Sequence, residues 1–301
     1  MRAQKQRAIG PWTGVGVLAA LCTGTPAWAG DLDFQLNASK NGQGILFDSC
    51  GAGCYQANEA AFRDFTTQLG FVLAPRMASP AETLGHAGFS VGAMWSGSFV
   101  SSDQNYWNVT NRGQSPAGAK AMLQTLQLDV RKGLPFSFEV GANFMWLADS
   151  ELFAPGLEVR WALQEGHPYI PDLAVRGAVN HMVGNRDLLL TTVAVDGVLS
   201  KGFGLGGTVN LAPYVGWSLV MIAATSRVID PTPLDEEDLA GNLVFQERKA
   251  TAKVGHKLTA GLRLLYSVLN VSVQGEFQML PDYETGGSGV TTITTKLGLD
   301  F

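Results

Sequence analysis

Between residues 136 and 146 the chain alternates. Phe136, Phe138, Val140, Ala142, Phe144 and Trp146 share one parity, while Ser137, Glu139, Gly141 and Asn143 share the other. A period of two predicts a strand with one apolar face. The stretch from 86 to 99 repeats the pattern. Phe89, Val91, Ala93, Trp95 and Phe99 fall on one side, and His86, Ser90, Ser96 and Ser98 on the other. The last residues do the same, with Ile293, Thr295, Leu297, Leu299 and Phe301 alternating with Thr292, Thr294, Lys296, Gly298 and Asp300.

Twelve segments read this way: 31–38, 64–75, 84–100, 119–132, 134–147, 154–165, 172–183, 187–199, 203–222, 249–266, 269–280 and 288–301. Most have the roughly 9–11 residues that carry a tilted strand across a bilayer. After residue 29 there is no unbroken apolar run of about 20 residues for a membrane helix. Charges obey the alternation too. Asp64, Asp129, Arg131, Glu139, Glu158, Arg160, Arg176, Asp196, Lys253, Lys257, Arg263, Glu276, Lys296 and Asp300 all fall on the polar face. A charge turned towards lipid costs about 2–4 kcal/mol at the bilayer midplane, so this exclusion is what a membrane wall demands. Only a closed ring of strands satisfies every backbone group in lipid. The expected fold is therefore all-β: a closed antiparallel transmembrane barrel of twelve strands, with ten as the alternative.

The links alternate in length, as successive rims of a barrel require. Short ones fall at 76–83, Gly133, 166–171, 200–202 and 267–268; longer ones at 39–63, 101–118, 148–153 and 223–248, with 184–186 out of step. The strand expected at 31–38, with Leu32, Phe34 and Leu36 inside the alternation, keeps the count even and places both ends of the mature chain at the periplasmic rim. Pro213 conflicts with a central strand unless it sits at a bulge or bend.

The first 29 residues stand apart. Arg2, Lys5 and Arg7 precede an apolar run from Val15 to Leu21, and Ala27-Trp28-Ala29 ends the stretch. That is the layout of a secretory signal peptide, leaving 30–301 as a single barrel domain. Cys50 and Cys54, in Cys50-Gly51-Ala52-Gly53-Cys54, lie in an outward loop where a disulfide is expected. Only 16% of residues are charged, and 26 acidic residues outnumber 21 basic ones, which argues against a nucleic-acid partner.

These features together resemble a Gram-negative outer-membrane β-barrel protein. The resemblance rests on the leader ending Ala27-Trp28-Ala29 and on the final strand Val290–Phe301, and it covers the whole chain after the leader. It implies an integral outer-membrane protein in contact with lipid, whose terminal Phe301 is read by the barrel assembly machinery. It does not select a family, because barrels of this class include solute channels, a phospholipase and autotransporter pores, and fold does not imply function.

The candidate lumen-lining residues are Arg131, Glu139, Glu158, Arg160, Arg176, Lys253, Lys257, Arg263, Glu276 and Lys296. Charges of both signs inside a barrel either line a wet passage or lock it with ion pairs. The first reading is a porin-like channel for small polar solutes. The alternative is a structural or surface-interaction barrel without an open pore. Lys249, Lys253, Lys257 and Arg263 on one face suggest some preference for anions. A lipid-modifying enzyme would need a serine near His181 or His256, and none of the four histidines, His86, His167, His181 and His256, lies in a nucleophile motif. No cofactor, metal site or catalytic residue is expected. The recurrent glycines within strands fit a curved sheet rather than a phosphate loop.

Overall fold

The computed structural model describes residues 30–37, 45–48, 55–231, 242–250, 254–279 and 283–301. Ten strands form the wall: β1 Phe89–Phe99, β2 Met122–Leu134, β3 Phe138–Leu147, β4 Phe153–Gln164, β5 Asp172–His181, β6 Leu188–Ser200, β7 Val209–Ser226, β8 Val254–Tyr266, β9 Leu269–Met279 and β10 Thr291–Asp300. Each pairs antiparallel with its neighbours, and β10 returns to β1 with Leu299 opposite Val91. The ring is closed, so no edge faces lipid. A short strand, Phe203–Leu205, pairs only with the start of β7. A two-stranded ribbon, Leu46–Asp48 with Tyr55–Ala57, lies outside the ring.

The alternation holds along the wall. Val91, Trp95, Leu128, Val159, Val215, Leu258, Val273 and Leu297 are exposed, whereas Ser90, Ser98, Asp129, Arg160, Arg176, Asp196, Glu276 and Lys296 are buried. Ring pairs such as Phe138 on Trp161, with centroids 5.4 Å apart, flank the apolar band near the short-turn rim, where aromatic side chains suit a half-wet interface. Pro213 costs the wall little. It sits one residue beyond the last pair between β6 and β7, Ser200 opposite Tyr214, and its carbonyl accepts from Lys201 N. Its missing donor therefore falls where that ladder has ended.

The count of twelve is corrected to ten. Segment 31–38, described as far as residue 37, makes only an isolated bridge from Phe34 to Thr110. Its apolar positions Leu32, Phe34 and Leu36 are buried in a core at the long-link rim rather than facing lipid. Segment 64–75 is mostly helix α1, Glu59–Val72. Asn58 caps it, with Oδ1 accepting from Ala61 N at 3.1 Å. Phe62, Phe65, Leu69 and Val72 recur at helical spacing. Over so short a stretch periods of 2 and 3.6 overlap, and Asp64, Thr66 and Gln68 are buried as well because most of the helix surface is enclosed, with only Glu59, Ala60, Arg63 and Thr67 partly open.

Residues 73–84, read from sequence as a strand end and a short turn, form an extended strap that descends through the barrel from α1 to the start of β1. The strap changes where the ends lie. A ten-strand ring alone would leave both ends at one rim. Here Phe301 pairs with Phe89 at the short-turn rim, while Leu32 N donates to Asp149 O at the other rim, beside Gly30. The strap adds an odd crossing.

The described residues contain no disulfide, which removes the expected bridge from this structure; Cys50 and Cys54 lie outside the described residues. Residues 39–44 and 49–54 of loop 39–63, all of residues 1–29, and Lys253 are also outside them.

Candidate functional site

The strap makes no ladder, yet its peptide groups are removed from water and need partners. Wall side chains supply them. Asn180 Nδ2 donates to Leu73 O at 3.0 Å, Arg176 Nη1 to Arg76 O at 2.6 Å, and Arg160 Nη1 to Pro80 O at 2.8 Å. In the other direction Ala78 N donates to Gln274 Oε1 at 3.0 Å, Ala81 N to Ser200 Oγ at 3.0 Å, and Leu84 N to Glu139 Oε1 at 2.6 Å. Pro75 and Pro80 carry no donor, so two of the strap's groups need no acceptor. Close approach is built into the wall at Gly216, where a Cβ would lie 2.6 Å from Met77 Cε.

Charges reinforce the lock. Strap residue Arg76 meets Glu276 on β9 at 2.6 Å, and Glu276 also holds Lys257 at 3.0 Å. Strap residue Glu82 meets Arg263 on β8 at 2.6 Å. Arg176 joins Asp196 at 2.6 Å and Glu158 at 2.8 Å. Arg131 lies 3.4 Å from Glu139, as its place across the β2–β3 turn suggests, and Arg160 approaches the same carboxylate at 3.8 Å. Lys296 pairs with Asp129 at 2.6 Å. Buried charges are costly unless paired and hydrogen-bonded, and these are consumed by one another and by the strap.

At the short-turn end of the strap, Thr83 N and Oγ1 both donate to Glu165 Oε2, at 2.8 and 2.7 Å. Burial works against the charge on Glu165. Bonds from Ser137 and Thr83 outweigh it and hold the carboxyl below its ordinary range.

Above the strap, α1 closes the lumen and joins a capping core. Phe65 packs edge-on to Trp107 at 5.3 Å and to Phe34 at 5.1 Å, and Phe62 stacks on Phe245 at 4.5 Å. Gln68 ties the helix to the links: its Oε1 accepts from Trp107 Nε1 at 2.9 Å, and its Nε2 donates to Ser101 Oγ at 3.0 Å. Asp31 fastens the start of the described chain through Lys120 at 3.0 Å and Arg112 at 3.3 Å. Hydrogen bonding to Lys120 leads the causes that keep Asp31 below the usual carboxylate range. A polar cleft of about 380 Å³ opens on this rim, between Asp33, Asn37, Asn111, Glu151 and Arg186.

The nine sequence-predicted lumen residues among the described ones all lie on the inner face, and each is ion-paired there. Two pairings differ from what their spacing suggests. Glu158 pairs with Arg176 rather than with its near neighbour Arg160. The basic ladder does not form: Lys249 is exposed in a link, Lys253 lies outside the described residues, and Lys257 and Arg263 are neutralised by Glu276 and Glu82. Sequence reasoning missed Arg76, Glu82, Asn180, Gln274 and Gln68. A charge at 76 in a supposed turn was the available signal.

The histidines lie apart. His86 is exposed at the turn before β1. His167 Nδ1 accepts from Tyr169 N and Ile170 N, each at 3.2 Å, within a short turn. His181 Nδ1 bonds the Thr191 hydroxyl at 2.8 Å, and His256 stacks on Trp217 at 5.6 Å. Among the described residues no group of three or more His, Cys, Asp or Glu could hold a metal.

No family model and no curated protein matches the chain. Solved structures similar to it are barrels. The N-terminal β-barrel domain of Pseudomonas aeruginosa OprF is 12% identical, with 72% of this chain and 99% of that one covered and a TM-score of 0.33. The translocator domain of the autotransporter NalP from Neisseria meningitidis is 8% identical, with 80% and 96% covered and a TM-score of 0.35. Ail, the attachment invasion locus protein of Yersinia pestis, is 13% identical, with 72% and 99% covered and a TM-score of 0.28. The closed ten-strand ring with its apolar outer face is the fold of a Gram-negative outer-membrane β-barrel.

Proposed function

We propose that this protein is a sealed outer-membrane barrel that presents its capped, long-link rim as an interaction surface, rather than a pore for small polar solutes. One observation carries the reading. Arg76 bridges the lumen, its guanidinium bound to Glu276 on β9 and its carbonyl to Arg176 on β5. A passage would need these buried pairs broken and left uncompensated, at about 3–5 kcal/mol for each partner removed. Support also comes from the cap, whose links and helix share one core.

No catalytic step is assigned, since His181 and His256 are occupied by a hydroxyl and an indole on the outer face of the wall. Lipid contacts the apolar band, and the strand ending at Phe301 is the element offered to the assembly machinery. The purified full chain, reconstituted in a planar bilayer, tests the proposal. A membrane that stays sealed at all voltages supports it; steady ohmic conductance from the unmodified chain overturns it.

A further inference from the structure

The path of the chain implies a transit. The described residues between Gly30 and Val72 belong to the cap at the long-link rim, and β1 begins at the opposite rim beside Phe301. Only 73–84 connects them, and it runs inside the ring. Taking the long-link rim as outward, the orientation on which the proposed function rests, we propose that the barrel exports its own N-terminal segment. Residues 30–72 reach the outer face by way of the lumen and stay there as half of the cap. Residues 73–84 are the trailing thread.

Three observations support this. The segment carries Asp31, Asp33, Asn37, Glu59, Arg63 and Asp64, and hydrocarbon offers such groups and their backbone no partners. The lumen, lined with Arg160, Arg176, Asn180, Gln274 and Glu276, offers both donors and acceptors along its length. Second, the cap cannot cross ready-made. An α-helix with side chains is about 10–12 Å across, and α1 is joined in the cap to aromatic residues of wall links, Trp107 and Phe245. Those links belong to hairpins of the wall, so the cap assembles only when both have arrived on the same side. Third, the thread suits a narrow passage. Ala74, Pro75, Ala78, Ser79, Pro80 and Ala81 are small or donor-free, and the prolines discourage pairing as an eleventh strand.

The arrangement differs from a lid. A lid swings clear, whereas a thread fixed at both rims stays in the lumen wherever the cap moves.

The test uses the full chain with Cys22, Cys50 and Cys54 changed to Ser and one new cysteine at a time: Gln35→Cys in the exported segment, Gln114→Cys in a link of the wall, and Tyr169→Cys at the short-turn rim. All three positions are exposed. Intact Gram-negative cells are treated with a polyethylene-glycol maleimide too large for porins. Gln35→Cys and Gln114→Cys should be labelled in intact cells, and Tyr169→Cys only after the outer membrane is permeabilised. Labelling at Gln114→Cys with Gln35→Cys protected overturns the export and leaves the outward rim standing. Labelling at Tyr169→Cys with the other two protected overturns the orientation, and the export with it.

Discussion

Arg176 Nη1 donates a 2.6 Å hydrogen bond to the carbonyl oxygen of Arg76 while its Nε holds Asp196, also at 2.6 Å. One guanidinium thus joins the wall to the thread and neutralises a wall carboxylate, a geometry that a forked donor can satisfy and a point charge cannot. Arg176→Leu leaves Asp196 buried without its partner and should destabilise the barrel by about 3–5 kcal/mol. Arg176→Lys should recover only part of that loss. Urea unfolding from vesicles reads both. An Arg176→Leu, Asp196→Leu double variant should be more stable than the single one, and equal or lower stability would contradict the pairing.

The fit between wall and strap predicts opposite outcomes for two nearby glycines. Gly216 faces inward, with Met77 Cε 2.6 Å from where a Cβ would stand, whereas nothing lies within 4 Å of the corresponding position at Gly197. Gly216→Leu should cost about 1–3 kcal/mol through overpacking. Gly197→Leu, turned towards lipid, should be close to neutral. Comparing the temperatures at which each barrel loses its folded mobility on gels checks this. Equal effects would count against a filled lumen.

The cap depends on one amide. Gln68 Oε1 accepts from both Trp107 Nε1 and Ser101 N inside a buried site. Gln68→Leu leaves buried polar groups unpaired at about 1–3 kcal/mol each. Because the loss is confined to the cap, limited proteolysis should cut the links and α1 faster while the wall keeps its heat resistance. A uniform loss of both would instead place Gln68 in the barrel's own stability.

Acid should loosen the inner end of the strap. Glu165 is held below its ordinary value of 4.5 by its bonds from Ser137 and Thr83, against burial. A depressed folded pKa means stability present above the unfolded pKa and lost as pH falls through the folded one. Hydrogen exchange at the Thr83 amide should therefore speed up as pH falls through the lowered range of the Glu165 carboxyl, after correction for intrinsic rates. In Glu165→Gln that step should vanish, and its persistence would assign the loosening to another group.

The wall was legible in the sequence because lipid imposes a strict rule. Val91, Trp95 and Phe99 must alternate with Ser90, Ser96 and Ser98, and charge is kept off the middle of the outer side, Lys132 standing only at its rim. The contents of the lumen obey no such rule. Segment 64–75 satisfied the alternation by coincidence, and the capping Asn58 with Phe62, Phe65 and Leu69 is a helical signature that a period-two reading passes over. The strap is harder still. Leu73 to Leu84 bond side chains scattered over eight strands, so no periodicity marks them. Ion pairing was half visible: Arg131 with Glu139 follows from a tight turn, whereas Arg76 with Glu276 joins positions 200 apart in sequence.

The most direct test of the account is whether the strap lies against β6 inside the folded barrel. Ala81 N is 3.0 Å from Ser200 Oγ, and both residues are buried. With the native cysteines changed to Ser, an Ala81→Cys, Ser200→Cys chain should form an internal disulfide on oxidation. The bond would be seen as faster migration of the denatured chain, reversed by reductant. A barrel that is folded and heat-resistant, yet keeps both thiols free under oxidant, would mean that 73–84 does not pass through the lumen.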